Sequence, residues 1–130
     1  MSTREARCHC GALTLAAEGD PVSVGVCSCL DCQWRTGSPI SVAAVFPDDK
    51  VTMSGPSSTW SRRGDEGYLS TFHFCPTCGS TVYWIPGWRE KSVVVAVGCF
   101  ADPDFPPPRM AVYGERRPAW ICLAETIEEF

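Results

Sequence analysis

The sequence has no long apolar run, no surplus of basic residues and no stretch with room for a long amphipathic helix. Each absence removes a class of function. The longest clean apolar run, residues 93–98, falls far short of the roughly 20 residues that cross a bilayer, so no membrane partner is expected. Lys and Arg number 11 against 15 Asp and Glu, a formal net charge of -4, whereas a nucleic-acid groove calls for a basic face with clustered cations. Nucleic acid is therefore not an expected partner. The amino terminus, Met1-Ser-Thr-Arg-Glu-Ala-Arg7, has no apolar stretch behind its charges, so neither a secretory signal nor a transit peptide is read there. A cytoplasmic location is expected. Repeats, linkers and low-complexity tracts are also missing, and 130 residues suffice for one core, so residues 1–130 are expected to form a single domain.

What is present reads as a packed β globule. Hydrophobic residues make up 45% and charged residues 20%, enough apolar surface to offset the ordering entropy of folding. Eleven Gly and eleven Pro punctuate short segments rich in Val, Thr, Tyr, Phe and Trp, the composition of strands joined by turns. Strands are predicted over 4–10, 12–17, 22–27, 40–46, 51–53, 58–62, 68–74, 81–85, 92–98 and 109–112. Helical turns fit only Leu30–Thr36 and the tail 124–130, both too short for a self-supporting helix. Residues 103–108 carry Pro at four of six positions and must form an irregular connection, because Pro cannot donate to a β ladder. The fold class expected is mainly β, with short antiparallel strands and little helix.

Nine cysteines in 130 residues is several times ordinary usage, and in a reducing compartment such density points to metal rather than disulfides. The odd count agrees, since disulfides alone would strand one thiol. Seven of the nine fall in three groups: Cys8-His-Cys10-Gly, Cys27-Ser-Cys29-Leu-Asp-Cys32 and Cys75-Pro-Thr-Cys78-Gly. The last is a zinc knuckle, a tight turn that aims two sulfurs at one point and is closed by Gly79. Structural zinc takes four ligands, and a turn at His9–Gly11 would bring Cys8 and Cys10 to one side of their strand. Cys8, Cys10, Cys75 and Cys78 are accordingly assigned to one closed structural site, on which stability should depend.

The middle group offers three sulfurs and no adjacent fourth ligand. Three protein ligands and an open position are the pattern of a catalytic zinc. Three thiolates make the metal a poor ioniser of water and a good holder of an exchangeable thiolate, which favours sulfur chemistry over hydrolysis. A site closed by Cys99 or Cys122, or one without metal, stays open at this level.

The order Cys-x-Cys-Gly, Cys-x-Cys-x-x-Cys followed by Thr36-Gly-Ser-Pro39, and Phe72-His-Phe-Cys75-Pro-x-Cys78-Gly79 resembles the glutathione-dependent formaldehyde-activating enzyme family. Val97-Gly98, Asp102-Pro103 and Arg117-Pro-Ala-Trp120 resemble that family's closing segment. The resemblance implies a zinc-stabilised, mostly β fold shared with a Rab-binding exchange chaperone, and two zinc ions. It matches Cys8, Cys10, Cys75 and Cys78 to the structural site, and Cys27, Cys29 and Cys32 to the catalytic one. The implied activity is that of a carbon-sulfur lyase run in reverse: a small-molecule thiol such as glutathione adds to a small carbonyl compound such as formaldehyde. Ser28 stands where many relatives carry His, Trp34 where a basic or small polar residue is frequent, and Cys99 where Thr or Ser is common. These departures fall on the wall of the site rather than on its cysteine frame.

Glutathione carries carboxylates, which a guanidinium clamps with paired hydrogen bonds. Arg35, three residues past Cys32, is the expected contact, and Trp34 is expected to wall the pocket. Arg62-Arg63 and Arg116-Arg117 read as solvated charges, and Trp60, Trp84, Trp88 and Trp120 as core or rim. His73 is a candidate general acid, although its neighbours Phe72 and Phe74 favour a bond to backbone or sulfur. His9, between two metal ligands, is expected to support the site from outside or face solvent. The alternative functions are a non-catalytic zinc module that binds a protein and a zinc-assisted hydrolase; homodimerisation stays open.

Overall fold

The computed structural model describes residues 2–130, and among them short strands dominate. Two strands, β1 (Thr3–Arg7) and β2 (Thr14–Glu18), form a hairpin. After β3 (Ser23–Cys27) comes the one α-helix of the described residues, α1 (Leu30–Thr36). Eight more strands follow: β4 (Ser41–Pro47), β5 (Val51–Ser54), β6 (Ser58–Arg63), β7 (Leu69–Phe74), β8 (Thr81–Ile85), β9 (Ser92–Ala96), β10 (Met110–Val112) and β11 (Glu128–Glu129). They assemble as a small sheet, β1-β2-β5, and a large one, β11-β10-β3-β4-β9-β8-β7-β6. None of the described helices is long and apolar enough to cross a membrane.

Alternation along the strands gives the large sheet two different faces, because residues paired across neighbouring strands point the same way. Val24 pairs with Ala44, Ala44 with Val95, Val95 with Tyr83, and Phe46 with Val93. This face meets Ala6, Leu13, Leu15 and Ala17 of the small-sheet layer in the main core. Phe100 joins them, 6.1 Å from Phe46 and 4.6 Å from Phe105. The opposite face carries Gly25, Cys27, Ala43, Val45, Val94, Trp84 and Phe72, again paired in register. Val45, Phe72, Trp84 and Val94 form a second, smaller cluster there, and the candidate site is built on it.

Where the structure differs from the sequence reading, hydrogen bonding explains the difference. The strand predicted over 4–10 stops at Arg7, because the Cys8 amide turns to the Leu13 carbonyl at 3.0 Å. The strand predicted over 92–98 ends at Ala96 and continues as a 3-10 turn, Val97–Phe100. The tail, expected to hold a helical turn, instead supplies β11, which pairs with β10. Two pairings are parallel, β3 with β10 and β10 with β11, so the large sheet is mixed rather than wholly antiparallel.

Candidate metal centre and pocket

Two groups of cysteines converge in the fold, and each brings its sulfurs within 4.8 Å of one another. The first joins Cys8 and Cys10 to Cys75 and Cys78. Gly11, at φ +84°, turns the chain after Cys10, and the Leu13 amide donates to Cys8 Sγ at 3.2 Å. In the knuckle, the amides of Thr77 and Cys78 donate to Cys75 Sγ at 3.4 and 3.5 Å, and Gly79 closes the turn at φ +82°. The sulfurs of Cys8 and Cys10 lie 3.7 Å apart, and those of Cys10 and Cys75 3.6 Å. Four sulfurs at tetrahedral zinc distances would stand about 3.8 Å apart, so the donor set fits such an ion. Hydrogen bonds from Ser80 and from backbone hold the Cys78 thiol at a pKa of about 5, ready to ligate. His9 is exposed, its amide on Ser80 Oγ.

The second group is Cys27, Cys29 and Cys32. Cys27 ends β3, and the chain turns at Cys29, which caps α1 with its sulfur accepting from the Cys32 amide at 3.3 Å. Helical spacing then returns Cys32 to the same side. The neighbouring Cys27 and Cys32 side chains and the Cys32 amide lower the Cys29 pKa to about 2, while Cys29 in turn pushes the Cys27 thiol far up. Among the described residues no other His, Cys, Asp or Glu joins this group.

The two remaining cysteines go elsewhere. Cys99 packs against the main core on the side of the first group; burial raises its pKa, as do the charges of Cys8 and Cys78. Its Sγ donates to the Thr81 carbonyl at 3.5 Å. Cys122 is exposed and lies in neither group. Closure of the second group by either sulfur, left open by the sequence, does not occur in this fold.

Arg35 lies beside the trio, as its spacing from Cys32 predicts. Its guanidinium sits 4.5 Å from the Trp84 ring centre and 4.8 Å from that of Phe72, and donates to Ser41 Oγ at 3.1 Å. Burial lowers its pKa against the opposing pull of the Cys32 sulfur, and its Nε is buried with no hydrogen-bond partner among the described residues. Arg62, read from sequence as a solvated charge, packs against Phe72 at 5.3 Å and donates to Asp31 at 3.2 Å. Two guanidiniums thus flank one aromatic ring next to three sulfurs.

Trp34 corrects the sequence reading. It was expected to wall the pocket, yet it is 76% exposed and lines neither cavity. One residue of helix turns the side chain by about 100°, so the turn that sends Arg35 inward sends Trp34 out. Trp84 and Trp88 line the pocket instead. His73 lies on the main-core face of β7, stacked on Tyr83 at 4.6 Å and bonded through Nδ1 to Ser57 Oγ at 3.0 Å. Strand alternation with Phe72 places it away from the trio. Ser28, between two cysteines, is fully buried, and its hydroxyl has no partner among the described residues.

Two cavities meet at Cys29. An inner chamber of about 300 Å³ rests on the sheet face and touches all three sulfurs, Arg35 and Arg62. An outer groove of about 600 Å³ shares Cys29, Arg62, Ser70, Trp88 and Val112 with it. The pairing of strands that builds the chamber floor is long-range in sequence; Phe72 opens the motif that ends in the knuckle, but nothing in that motif ties it to the trio, and Trp88 lies in no motif.

No curated protein matches the sequence. A crystal structure of a Rhodobacter sphaeroides protein, solved as a structural-genomics target, aligns over 79% of this chain and 91% of its own, with a TM-score of 0.58 and 20% identity. That likeness shows the fold. The family model described as glutathione-dependent formaldehyde-activating enzyme matches residues 3–116; with both cysteine groups in place, the chain belongs to that family.

Proposed function

We propose that this protein is a zinc-dependent, carbon-sulfur lyase-like enzyme that adds a small-molecule thiol such as glutathione to a small carbonyl compound. Cys8, Cys10, Cys75 and Cys78 hold a structural zinc, and Cys27, Cys29 and Cys32 a catalytic one. The observation that carries the reading is the three-sulfur group facing two cavities, with no fourth side-chain ligand within reach among the described residues. A zinc ion bound there supplies an open position at which a thiol is held as thiolate near neutral pH.

The chain's own residues do the rest. Packing on Phe72 and Trp84 fixes the Arg35 guanidinium beside the sulfurs, and Arg35 lines the chamber, where its charge would bind the carbonyl oxygen. The substrate sulfur bonds to the carbonyl carbon while the C=O π pair moves onto oxygen, and Arg35 stabilises that charge. The proton lost by the thiol is returned to the oxygen, so the hemithioacetal forms with no oxidant or reductant. The apolar chamber wall and the adjoining groove hold the two reactants together.

Elemental analysis of protein purified without added metal tests the reading, together with the rate of glutathione–formaldehyde condensation. Two zinc ions are expected in the parent and in Cys99→Ser. One is expected in Cys29→Ser, with the rate down by about a hundredfold or more. Two bound zinc ions and no acceleration with any thiol and aldehyde would sink the enzyme reading and leave a zinc-stabilised binding module.

A further inference from the structure

The inner chamber is larger and more apolar than formaldehyde needs. Its floor is one face of the large sheet, where Gly25 of β3 pairs with Ala43 of β4. Val45, Val94, Trp84 and Phe72 stand around these two small residues, and a patch of small side chains ringed by large ones leaves a hollow. A Cβ added at Gly25 would meet Met110 Cγ at 3.3 Å, so the Met110 side chain closes one end. The charged groups gather at the other: Arg35, Arg62 and the three sulfurs. A chamber of about 300 Å³ is at the lower end of the range for pockets that enclose organic ligands. Formaldehyde would leave the apolar floor uncovered and its dispersion and transfer energy unused.

The polar end also carries a cation. Arg35 gives one nitrogen to Ser41, lies against the Cys32 sulfur and pairs with no carboxylate among the described residues, while its side chain lines the chamber. A cation at one end of an apolar floor suits a polar oxygen arriving with an apolar body behind it. The second reactant has its own entrance, since the outer groove reaches the same Cys29 from the Tyr68 and Tyr113 side.

We propose that the inner chamber binds an aldehyde with an apolar body of several carbons, branched or aromatic, its oxygen at Arg35 and its body on Ala43, Val45 and Val94, while the thiol enters through the outer groove. This rests on the thiol-addition reading and names its carbonyl substrate class.

The test compares kcat/KM for benzaldehyde and formaldehyde at fixed glutathione, in the zinc-loaded parent, in Ala43→Leu and in the milder Gly25→Ala. In parallel, the Trp84 indole N–H resonance is followed during titration with benzyl alcohol, a non-reacting analogue of benzaldehyde's shape. Benzaldehyde is expected to be preferred by at least about tenfold, and filling the floor should lower the benzaldehyde-to-formaldehyde ratio by a similar factor. A saturable Trp84 shift is expected in the parent and should be weakened in both variants. Preference for formaldehyde, or a Trp84 resonance that benzyl alcohol does not move, would overturn the inference. If neither aldehyde reacts but the Trp84 shift saturates, the thiol-addition reading fails while the chamber's ligand class stands. Gly25→Ala keeps the comparison available if the bulkier variant does not fold.

Discussion

In the proposed reaction Arg35 carries the stabilisation of the developing charge. Two rings and the Ser41 hydroxyl hold its plane, and lysine, a flexible point charge, reproduces neither the stacking nor the fork of donors. Arg35→Lys should therefore keep both zinc ions yet lose about 10²-fold in kcat/KM, most of it in kcat, as measured by steady-state kinetics beside metal analysis. Equal loss of zinc would reassign Arg35 to a structural role. Cys29 permits a pH prediction on metal-free protein. Its folded pKa, lowered to about 2 chiefly by the Cys27 side chain, lies below the ordinary 9.0. The folded state thus favours the thiolate, and the stabilisation it gives is full above the ordinary value and lost as pH falls toward 2. Alkylation of Cys29 by iodoacetamide should stay nearly flat from pH 8 to pH 5, where an unperturbed thiol slows about tenfold per unit. A tenfold-per-unit slope at Cys29, read by peptide mass spectrometry, would contradict the hydrogen-bonded trio. Arg35 was legible in sequence because a spacing of three from Cys32 is one helical turn. Arg62 was not, since its neighbour in space, Asp31, is 31 positions away.

The elements differ in what holds them. The turn after β1 and the knuckle after β7 carry the four sulfurs of the first group, and apart from these cysteines only Leu13 of the two turns is buried in the main core. A metal at those sulfurs ties the small sheet to the large one, and its binding free energy is folding free energy. Cys78→Ser should lose one zinc ion and lower the melting temperature by upwards of about 10 °C in calorimetry. Cys99→Ser, whose sulfur only packs and reaches Thr81, should keep both ions. Equal melting temperatures for Cys78→Ser and the parent would mean that packing alone joins the sheets. Strand positions were largely legible because Val, Thr and aromatic residues alternate between Gly and Pro breaks. The ends were less so: β1 and β9 stop where local bonds, Cys8 to Leu13 and the 3-10 turn at Val97–Phe100, outcompete the ladder. β11 was missed because it is a strand only through its partner; Glu128-Glu129 has no β pattern and pairs at the edge of β10.

Over the whole molecule, the large sheet separates the main core from the candidate site: one face is closed by the small sheet, the other carries the trio and both cavities. This division was invisible in sequence, because the alternation within each strand shows that two faces exist but not which face the small sheet covers. Charge is divided as well. The net charge is -4, and the outer groove is lined by Asp65, Glu66 and Glu115, with Arg62 already paired to Asp31. Glutathione carries one more carboxylate than ammonium, so a thiol of that kind entering the groove meets repulsion, which added salt screens over a Debye length of about 10 Å at 0.1 M. Raising the ionic strength from about 0.02 to 0.3 M should lower the KM for glutathione by roughly two- to threefold. A cationic thiol such as cysteamine should show the opposite trend, because the same carboxylates attract it. Replacing Asp65 and Glu66 together by Asn and Gln should flatten both dependences. If the KM for glutathione instead rises with salt, its contact with Arg35 and Arg62 outweighs the groove's carboxylates, and the thiol enters past the guanidiniums rather than along the outer wall.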